Sequence, residues 1–297
     1  MELIDNLKYK YSKLDVLGKI IVWMVICFVL PYLINTILYL FAVNSFSIIE
    51  FFQVSPSISE LLYKPWSLIS YGFFHAGLWH LIGNMIILYY GGRVVLDLFG
   101  QEKFLKLFFI GLLCGSVTYL LSYNLFPVFK GLKPPMIGAS AGAMAVFIFL
   151  SAYMPYYTFR LVLFDVKIIY IAGFFIIMDL IQIPSGNAGG HLAHLGGAAW
   201  GYYYDAQLKR GKDNGDWIIS FFNYLKGFFK NKAKVTKVYS KKTYSKVSKE
   251  TLDQKKIDLI LDKISKSGYD SLSKKEKDTL FKACLLYTSP SPRDLTA

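Results

Sequence analysis

Four histidines and one serine are the residues whose types and spacing indicate catalytic chemistry in this sequence. The serine, Ser140, stands at the centre of the motif Gly-Ala-Ser-Ala-Gly at residues 138–142. A serine hydroxyl becomes a nucleophile when a base removes its proton, and imidazole can be that base at neutral pH. The histidines are His75, His80, His191 and His194. These residues predict nucleophilic catalysis by Ser140, with one histidine as general base.

His194 is the predicted general base, and His191, one helical turn earlier, is its rival. His194 directly precedes a glycine pair with the small-xxx-small spacing that lets two helices approach closely, and a second such pair flanks Ser140. Close approach of these helices would bring Ser140 within reach of His194. His191 is interpreted as an interfacial or helix-capping residue. The supporting glycines are Gly138, Gly142, Gly197 and Gly201.

His80 and Asn84 are predicted to stabilise the oxyanion of a tetrahedral intermediate. They are four residues apart and therefore lie on the same face of a helix, and both side chains can donate hydrogen bonds. The backbone N–H of Ser140 could join them. The alternative interpretation is a hydrogen-bonded pair that holds two helices together, and the two roles are compatible. His75, just outside the helix, is interpreted as a residue that supports a loop.

The elements that position these residues are predicted to be membrane-spanning helices. The chain has 297 residues, of which 54% are hydrophobic and 17% aromatic. A helix needs about 20 apolar residues to cross a hydrocarbon core about 30 Å thick. The fold class predicted is an all-α polytopic membrane protein with six transmembrane helices. The apolar runs lie at about 19–43, 77–98, 104–127, 138–155, 166–183 and 190–207.

Lysines and arginines near the ends of these runs predict the orientation in the membrane, because cytoplasmic loops collect them. Most of them fall on one side, so both termini are expected in the cytoplasm and the loops 44–76, 128–137 and 184–189 outside. The second, fourth and sixth spans then begin at the external face, where all four histidines and Ser140 lie. The net charge of +13 is therefore attributed to membrane topology, and a nucleic-acid partner is not expected.

The sequence divides into segments of different composition. A short basic lead-in is expected to be cytoplasmic, and an amphipathic basic stretch after the sixth span is expected to lie on the anionic inner leaflet. A small helical hairpin follows, in which Ser273 and Glu276 have the spacing of a capping box. The last residues, from Cys284, read as the in-frame translation of a sequencing adapter. The predicted segments are 1–18 (lead-in), 19–208 (six-span domain), 209–250 (basic segment), 251–283 (hairpin) and 284–297 (adapter).

Three motifs together resemble the rhomboid family of intramembrane proteases. They are Phe-Phe-His-Ala-Gly-Leu-Trp-His-Leu-Ile-Gly-Asn-Met at 73–85, Gly-Ala-Ser-Ala-Gly at 138–142 and Ala-His-Leu-Gly-Gly at 193–197. The resemblance covers about residues 15–210. It implies a catalytic dyad of Ser140 and His194, with His80 and Asn84 at the oxyanion-stabilising positions and no acidic third member. Ala141 stands where glycine is commonest in the family, which could shift the helix packing slightly.

The resemblance implies a serine endopeptidase that cleaves membrane-protein substrates within or beside a transmembrane segment. No cofactor and no metal is expected. It further implies a bacterial cytoplasmic (inner) membrane as location, with the active site open to the external face. The alternative is a catalytically silent relative that binds or escorts membrane proteins, although such relatives characteristically lack the serine or the histidine. A transporter is disfavoured because the polar residues lie at one end of the predicted bundle.

Overall fold

The computed structural model describes residues 2–43, 47–161, 164–229 and 250–287, which are predominantly helical. The chain divides into two compact units, Met1–Asn231 and Lys232–Ala297. The helices of the first unit are α1 (Glu2–Lys13), α2 (Val16–Leu40), α3 (Ile49–Phe52), α4 (Ile58–Tyr63), α5 (Ser67–Ser70), α6 (Leu78–Leu125), α7 (Ser140–Tyr153), α8 (Ile168–Gln182), α9 (Ala188–Leu208) and α10 (Asp216–Phe229). Those of the second unit are α11 (Glu250–Ser267) and α12 (Lys274–Tyr287).

The prediction of an all-α fold is wrong in one place, between α7 and α8. Strands β1 (Thr158–Leu161) and β2 (Phe164–Lys167) pair in antiparallel register, with Thr158 opposite Lys167 and Arg160 opposite Asp165. The segment is rich in β-branched and aromatic residues and alternates in polarity, which favours strands. The sequence prediction assigned the last two residues of this segment to a transmembrane helix at 166–183, but α8 begins two residues later, at Ile168.

Three helices of the described chain are long and apolar enough to cross a membrane. They are Val16–Leu40, Leu78–Leu125 and Ile168–Ser185, the last comprising α8 and the short 3-10 turn that follows it. Ser140–Tyr153 is a shorter apolar helix. The prediction of a helical membrane protein is therefore confirmed. The count of six crossings stays a prediction.

A deep groove between α6 and α9 holds α7, and small residues set its depth on the α6 side. A Cβ atom added to Gly111 would lie 2.5 Å from the Cβ of Ala145, and one added to Gly115 would lie 2.4 Å from the Cβ of Ala141. The methyl groups of α7 thus occupy the places that larger side chains on α6 would need. Ala141 fits because Gly115 faces it, so the packing accepts alanine directly after Ser140.

On the α9 side, the backbones themselves are in contact. A Cβ added to Gly197 would lie 2.0 Å from the carbonyl oxygen of Ala141, and one added to Gly201 would lie 2.2 Å from that of Ala145. Such distances leave no room for any side chain. The predicted role of Gly197 and Gly201 in bringing two helices together is consistent with these contacts.

The glycines around Ser140 have different roles from the one their spacing suggested. Because α7 begins at Ser140, Gly138 precedes the helix and cannot share a helical face with Gly142. Gly138 has a φ of +131°, and a Cβ there would lie 2.7 Å from the Cε1 atom of His80. Gly142 instead packs on α6, where an added Cβ would lie 2.8 Å from the carbonyl oxygen of Phe108.

An ion cluster around the buried ammonium of Lys106 ties the start of α10 to α6. The ammonium of Lys106, 1% exposed, lies 2.8 Å from Asp213 and 2.5 Å from Asp216. The hydroxyl of Tyr204 donates to the same carboxylate oxygen of Asp213 at 2.6 Å. A buried charge is tolerated when partners surround it in this way. The first part of the predicted basic segment 209–250 is therefore fixed to the bundle, whereas 230–249 lie outside the described residues.

The second unit contains α11 and α12, which are joined by a short turn. The backbone N–H of Ser273 donates to the carboxylate of Glu276 at 2.7 Å, and the N–H of Glu276 donates to the hydroxyl of Ser273 at 3.4 Å. This reciprocal pair is the capping box that the sequence predicted. Lys263 of α11 contacts the same carboxylate at 3.1 Å. Hydrogen bonding to Ser273, followed by Lys263, lowers the pKa of Glu276 to about 2.

The contact between α7 and α9 predicts a sharp difference between two glycine substitutions. Gly201→Ala should destabilise the protein by about 2 kcal/mol or more, because the new methyl group meets the backbone of α7. Gly173→Ala in α8 is the matched control, since an added Cβ there has nothing within 4 Å. It should be neutral or stabilise by up to about 1 kcal/mol. Thermal unfolding in detergent measures both, and equal stability of the two variants would contradict the close contact.

Candidate active site

The N-terminal ends of α6, α7 and α9 meet around a cavity of about 460 Å³. His80 and Asn84 reach it from the first turns of α6, Ser140 from the start of α7 and His194 from the second turn of α9. All four predicted catalytic and oxyanion residues therefore line one cavity. Gly138 also lines it, and a side chain at that position would collide with the ring of His80.

Ser140 and His194 also line a second cavity of about 240 Å³, between α6, α7 and α8. Among the described residues, no hydrogen bond joins the hydroxyl of Ser140 to His194. Catalytic hydrogen bonds are often long in sites without substrate and tighten when the reacting complex forms. The serine and the histidine that the sequence predicts as nucleophile and base therefore face the same two cavities.

A carboxylate that the sequence interpretation did not include lies beside the histidines of α9. One oxygen, Oδ1 of Asp179 in α8, lies 2.8 Å from Nδ1 of His191 and 2.8 Å from Nδ1 of His194. Asp179 is buried, with 6% of its surface exposed. The signal was present in the sequence: a lone carboxylate inside an apolar span is a functional candidate. Asp179 lies in the predicted fifth span, whereas the predicted site residues come from the second, fourth and sixth.

Asp179, His191 and His194 also have the residue types of a metal site. Their ligand atoms lie within 4.8 Å of one another, and two histidines with one carboxylate are a known set for zinc. This is the one such group in the described part of the chain. The expectation that the protein needs no metal remains a prediction.

His80 and Asn84 are held by contacts with neighbouring backbone. The side-chain amide of Asn84 donates to the carbonyl of His80 at 2.8 Å, which uses one of its two hydrogens. The other hydrogen remains for a ligand in the cavity. The ring of His80 fits against the extended stretch before α7, where Gly138 leaves space for it. Both side chains can thus direct donors toward the space in front of Ser140.

His75 lies beside the residue that precedes Ser140, and it does not line the cavity. It is buried, and its Nε2 atom accepts a hydrogen bond from the backbone N–H of Ala139 at 3.3 Å. Its ring packs edge to face on His80, with centroids 5.1 Å apart. Burial, followed by the charge of His80, lowers the pKa of His75 to about 4, although a hydrogen bond with the Phe73 backbone opposes this. These contacts suit the loop-supporting role that the sequence predicted.

Together, the fold and the site define a helical membrane protein with a serine and a histidine at one end of its helix bundle. Residues 63–210, which contain all these groups, match the Rhomboid domain. This part of the chain belongs to the rhomboid family, which confirms the resemblance of the three motifs. Residues 246–282 match a family of unknown function, DUF6576, and coincide with the predicted C-terminal helical unit.

Several curated relatives carry rhomboid names. "RHOMBOID-like protein 12, mitochondrial" of Arabidopsis thaliana is 32% identical over 158 residues, which cover 49% of this chain and 47% of the relative. "Presenilin-associated rhomboid-like protein A, mitochondrial" of Danio rerio is 30% identical over 162 residues, covering 53% and 40%. "Rhomboid-like protein 16, chloroplastic" of Arabidopsis thaliana is 46% identical over 59 residues, covering 20% and 18%. The chain thus spans less than half the length of these relatives.

These relatives overturn the predicted location. The sequence interpretation placed the protein in a bacterial cytoplasmic membrane, with both termini in the cytoplasm and the site at the external face. The relatives are eukaryotic, and their names place them in mitochondria or, in one case, in the chloroplast. The prediction of a bacterial location was wrong because apolar spans and basic loops report a membrane and its sidedness but not which membrane it is.

The buried position of His75 predicts that stability falls with decreasing pH. Its pKa is about 4 in the folded chain and ordinarily about 6.5 in an unfolded chain, so the unfolded state binds the proton first. Stability should decline between these values, by up to about 3 kcal/mol from this group. His75→Gln keeps an acceptor for Ala139 and cannot be protonated. Its thermal unfolding in detergent should depend less on pH, and an unchanged pH dependence would contradict the assignment.

Proposed function

We propose that this protein is an intramembrane serine endopeptidase that hydrolyses peptide bonds within or beside the transmembrane segments of other membrane proteins. The observation that carries this proposal is the meeting of Ser140, His194, His80 and Asn84 around one cavity. These are the residue types that acyl transfer requires: a nucleophile, a base and donors for the oxyanion. Membership of the rhomboid family supports the same reaction.

The reaction begins when His194 takes the proton of the Ser140 hydroxyl as the oxygen attacks the scissile carbonyl. The tetrahedral intermediate collapses to an acyl-enzyme as His194 returns the proton to the leaving amine. Water then attacks the acyl group with His194 as base, and the second tetrahedral intermediate collapses: the bond to Oγ of Ser140 breaks, His194 returns the proton to Oγ, and the product carboxylic acid leaves. The charges that develop are those of the oxyanion and the imidazolium, so the site needs hydrogen-bond donors for the first and a hydrogen-bond acceptor for the second.

The start of α7 adds a further donor for the oxyanion. Ser140 is the first residue of this helix, so its backbone N–H has no acceptor within the helix. The partial positive charge of a helix N-terminus favours a negative charge at this place. With His80 and Asn84 lining the same cavity from α6, the oxyanion would be approached by donors from two helices.

The proposed membrane architecture has six crossings. A continuous helix of the length of α6 would measure about 72 Å, more than twice a hydrocarbon core of about 30 Å. Gly100, whose φ of +79° is not helical, divides it into two segments that can each cross. α7 is shorter than a full crossing, and its N-terminus lies within the bundle. Water can therefore reach Ser140 from one face without contact with lipid.

Substrates of this site are membrane proteins whose transmembrane segment can present an extended peptide to Ser140. The names of the relatives favour a mitochondrial membrane as the place of action. The C-terminal unit is proposed to be a helical hairpin appended to the protease domain, and the contact between Lys263 and Glu276 supports that arrangement. Neither the hairpin nor the basic segment before it is assigned a role in the reaction.

A second candidate function is a catalytically silent factor that binds or escorts membrane proteins. Two observations favour it: the relatives are named rhomboid-like, and no hydrogen bond joins Ser140 and His194 among the described residues. Labelling separates the two functions, because a fluorophosphonate or isocoumarin reacts only with an activated serine. Modification of Ser140 supports the protease, and an unreactive Ser140 in folded protein supports the binding factor.

The proposed dyad predicts that Ser140→Ala and His194→Ala both abolish cleavage of a transmembrane reporter substrate by the purified protein in detergent. Ser151→Ala is the matched control for the first, because Ser151 is buried at the other end of the same helix. It should cleave at the wild-type rate. Cleavage by the Ser140→Ala variant would contradict the protease proposal. A dead His191→Ala beside an active His194→Ala would show that the base is His191.

The proposed oxyanion site predicts that Asn84→Ala lowers kcat by about 10²–10³, with a smaller change in KM, because the donor acts on the intermediate. The same loss is expected for His80→Ala. Asn124→Ala on α6 is the matched control: Asn124 also donates to the carbonyl four residues before it, at 2.8 Å, and to the carbonyl of Pro56 at 2.9 Å, but it does not line the cavity. Equal losses in the Asn84 and Asn124 variants would assign Asn84 to helix packing.

A further inference from the structure

We propose that Asp179 and His191 are positioning residues that fix the ring of His194 in the form that can accept the proton of Ser140. The proposal rests on the protease function proposed above. Its observation is a single carboxylate oxygen, Oδ1 of Asp179, that lies 2.8 Å from Nδ1 of each histidine. It departs from the two-residue dyad that the sequence motifs imply, because it adds a carboxylate from a helix outside those motifs.

The hydrogen bonds decide which ring nitrogen carries the proton. A carboxylate is an acceptor only, so both Nδ1 atoms must be donors. In a neutral imidazole with a proton on Nδ1, the other nitrogen, Nε2, is unprotonated and presents its lone pair. His194 therefore has Nε2 ready as an acceptor in the space it shares with Ser140. The reverse tautomer would direct N–H at the hydroxyl and could not act as a base.

The carboxylate also acts on the charge that the reaction creates. When the proton moves from Oγ of Ser140 to Nε2 of His194, the ring becomes an imidazolium while its Nδ1–H stays in place. Asp179, 2.8 Å away and buried, stabilises that positive charge more strongly than water would. Among the described residues, the other titratable groups that face His194 are His191, whose ring centroid is 5.9 Å away, and His80, which lines the same cavity from α6. Neither carries a negative charge, so Asp179 alone supplies one.

His191 supplies the second donor to the same oxygen. A carboxylate buried inside an apolar helix is costly unless several donors surround it. His191 and His194 are three residues apart on α9 and therefore face α8 together. His191 thus holds Asp179 at the height where its oxygen meets Nδ1 of His194. This gives His191 a function that is neither base nor interfacial cap.

The roles of charge and acceptor can be separated by substitution at Asp179. Asp179→Asn keeps an oxygen but removes the charge, Asp179→Ala removes both, and Asp179→Glu restores a carboxylate. We expect kcat to fall about tenfold to a hundredfold for Asp179→Asn and further for Asp179→Ala, with a smaller change in KM, because Asp179 acts on the ring of His194 during proton transfer. Asp179→Glu should recover part of the lost kcat. Loss of kcat that follows thermal stability instead of charge would assign Asp179 to packing.

The tautomer gives a readout that a purely structural role would not change. In protein labelled with ¹⁵N-histidine, the shifts of His194 should report a proton on Nδ1 in the wild type and a mixture or the reverse form in Asp179→Ala. His191→Gln keeps an N–H donor and should retain most of the activity. His191→Leu removes the donor and should lower kcat about as much as Asp179→Asn does. A proton on Nε2 of His194 in the folded wild type would overturn the proposal.

Asp205→Asn is the matched control for the change in charge. Asp205 is also a buried carboxylate, 3% exposed, but it pairs with Lys209 at the other end of α9, and its variant should keep the wild-type kcat. A metal ion at the same three residues is tested by dialysis against a chelator. Activity that survives chelation supports the hydrogen-bonded cluster, and activity lost to the chelator and restored by Zn²⁺ overturns it.

The combined results of these experiments distinguish failure of the positioning role from failure of the protease function. If the wild type does not cleave and Ser140 cannot be labelled, the protease function itself fails. If the wild type cleaves, Ser140→Ala does not, and Asp179→Asn retains the wild-type kcat and the tautomer of His194, only the positioning role fails.

Discussion

The close contact between the backbones of α7 and α9 is the constraint on which the rest of the structure depends. Gly197 and Gly201 leave no atom between their own helix and the carbonyl groups of Ala141 and Ala145. The two helices are therefore locked in height as well as in distance. Because Ser140 begins one helix and His194 lies one turn before the first of these glycines, the contact brings both side chains to one cavity. If the two helices lay farther apart, Ser140 and His194 would not share a cavity, and each would need other hydrogen-bond partners.

The polar groups inside the bundle are arranged so that each charge has partners. Asp179 is accompanied by two imidazoles, and Lys106 is accompanied by two carboxylates and lies near the hydroxyl of Tyr204. The two clusters lie at opposite ends of α9. One lines a cavity together with Ser140, and the other attaches the chain that follows α9. Ionisable groups inside membrane proteins are expensive, and in both places the cost is offset by hydrogen bonds that also fix a distance between helices.

Much of this arrangement could be predicted from the sequence. The apolar runs gave the helices, and the order of the spans brought His80, Ser140 and His194 to one end of the bundle. The strands β1 and β2 were missed because a short alternating stretch next to an apolar run resembles the start of a helix. Gly138 was misread because spacing alone does not show where a helix begins. Asp179 was missed because its contact joins helices α8 and α9 across space, and no local pattern records that contact.

The ladder of small residues around α7 has a consequence for anyone who wishes to build or recognise such a site. Gly111, Gly115, Gly197 and Gly201 repeat every four residues on two helices, against two alanines on the third. Six positions without functional groups thus encode the depth of the groove. A helix bundle that received only the serine and both histidines would carry the reactive groups without the close helix packing that brings them together. The glycines and alanines that allow this packing would have to be transferred together with them.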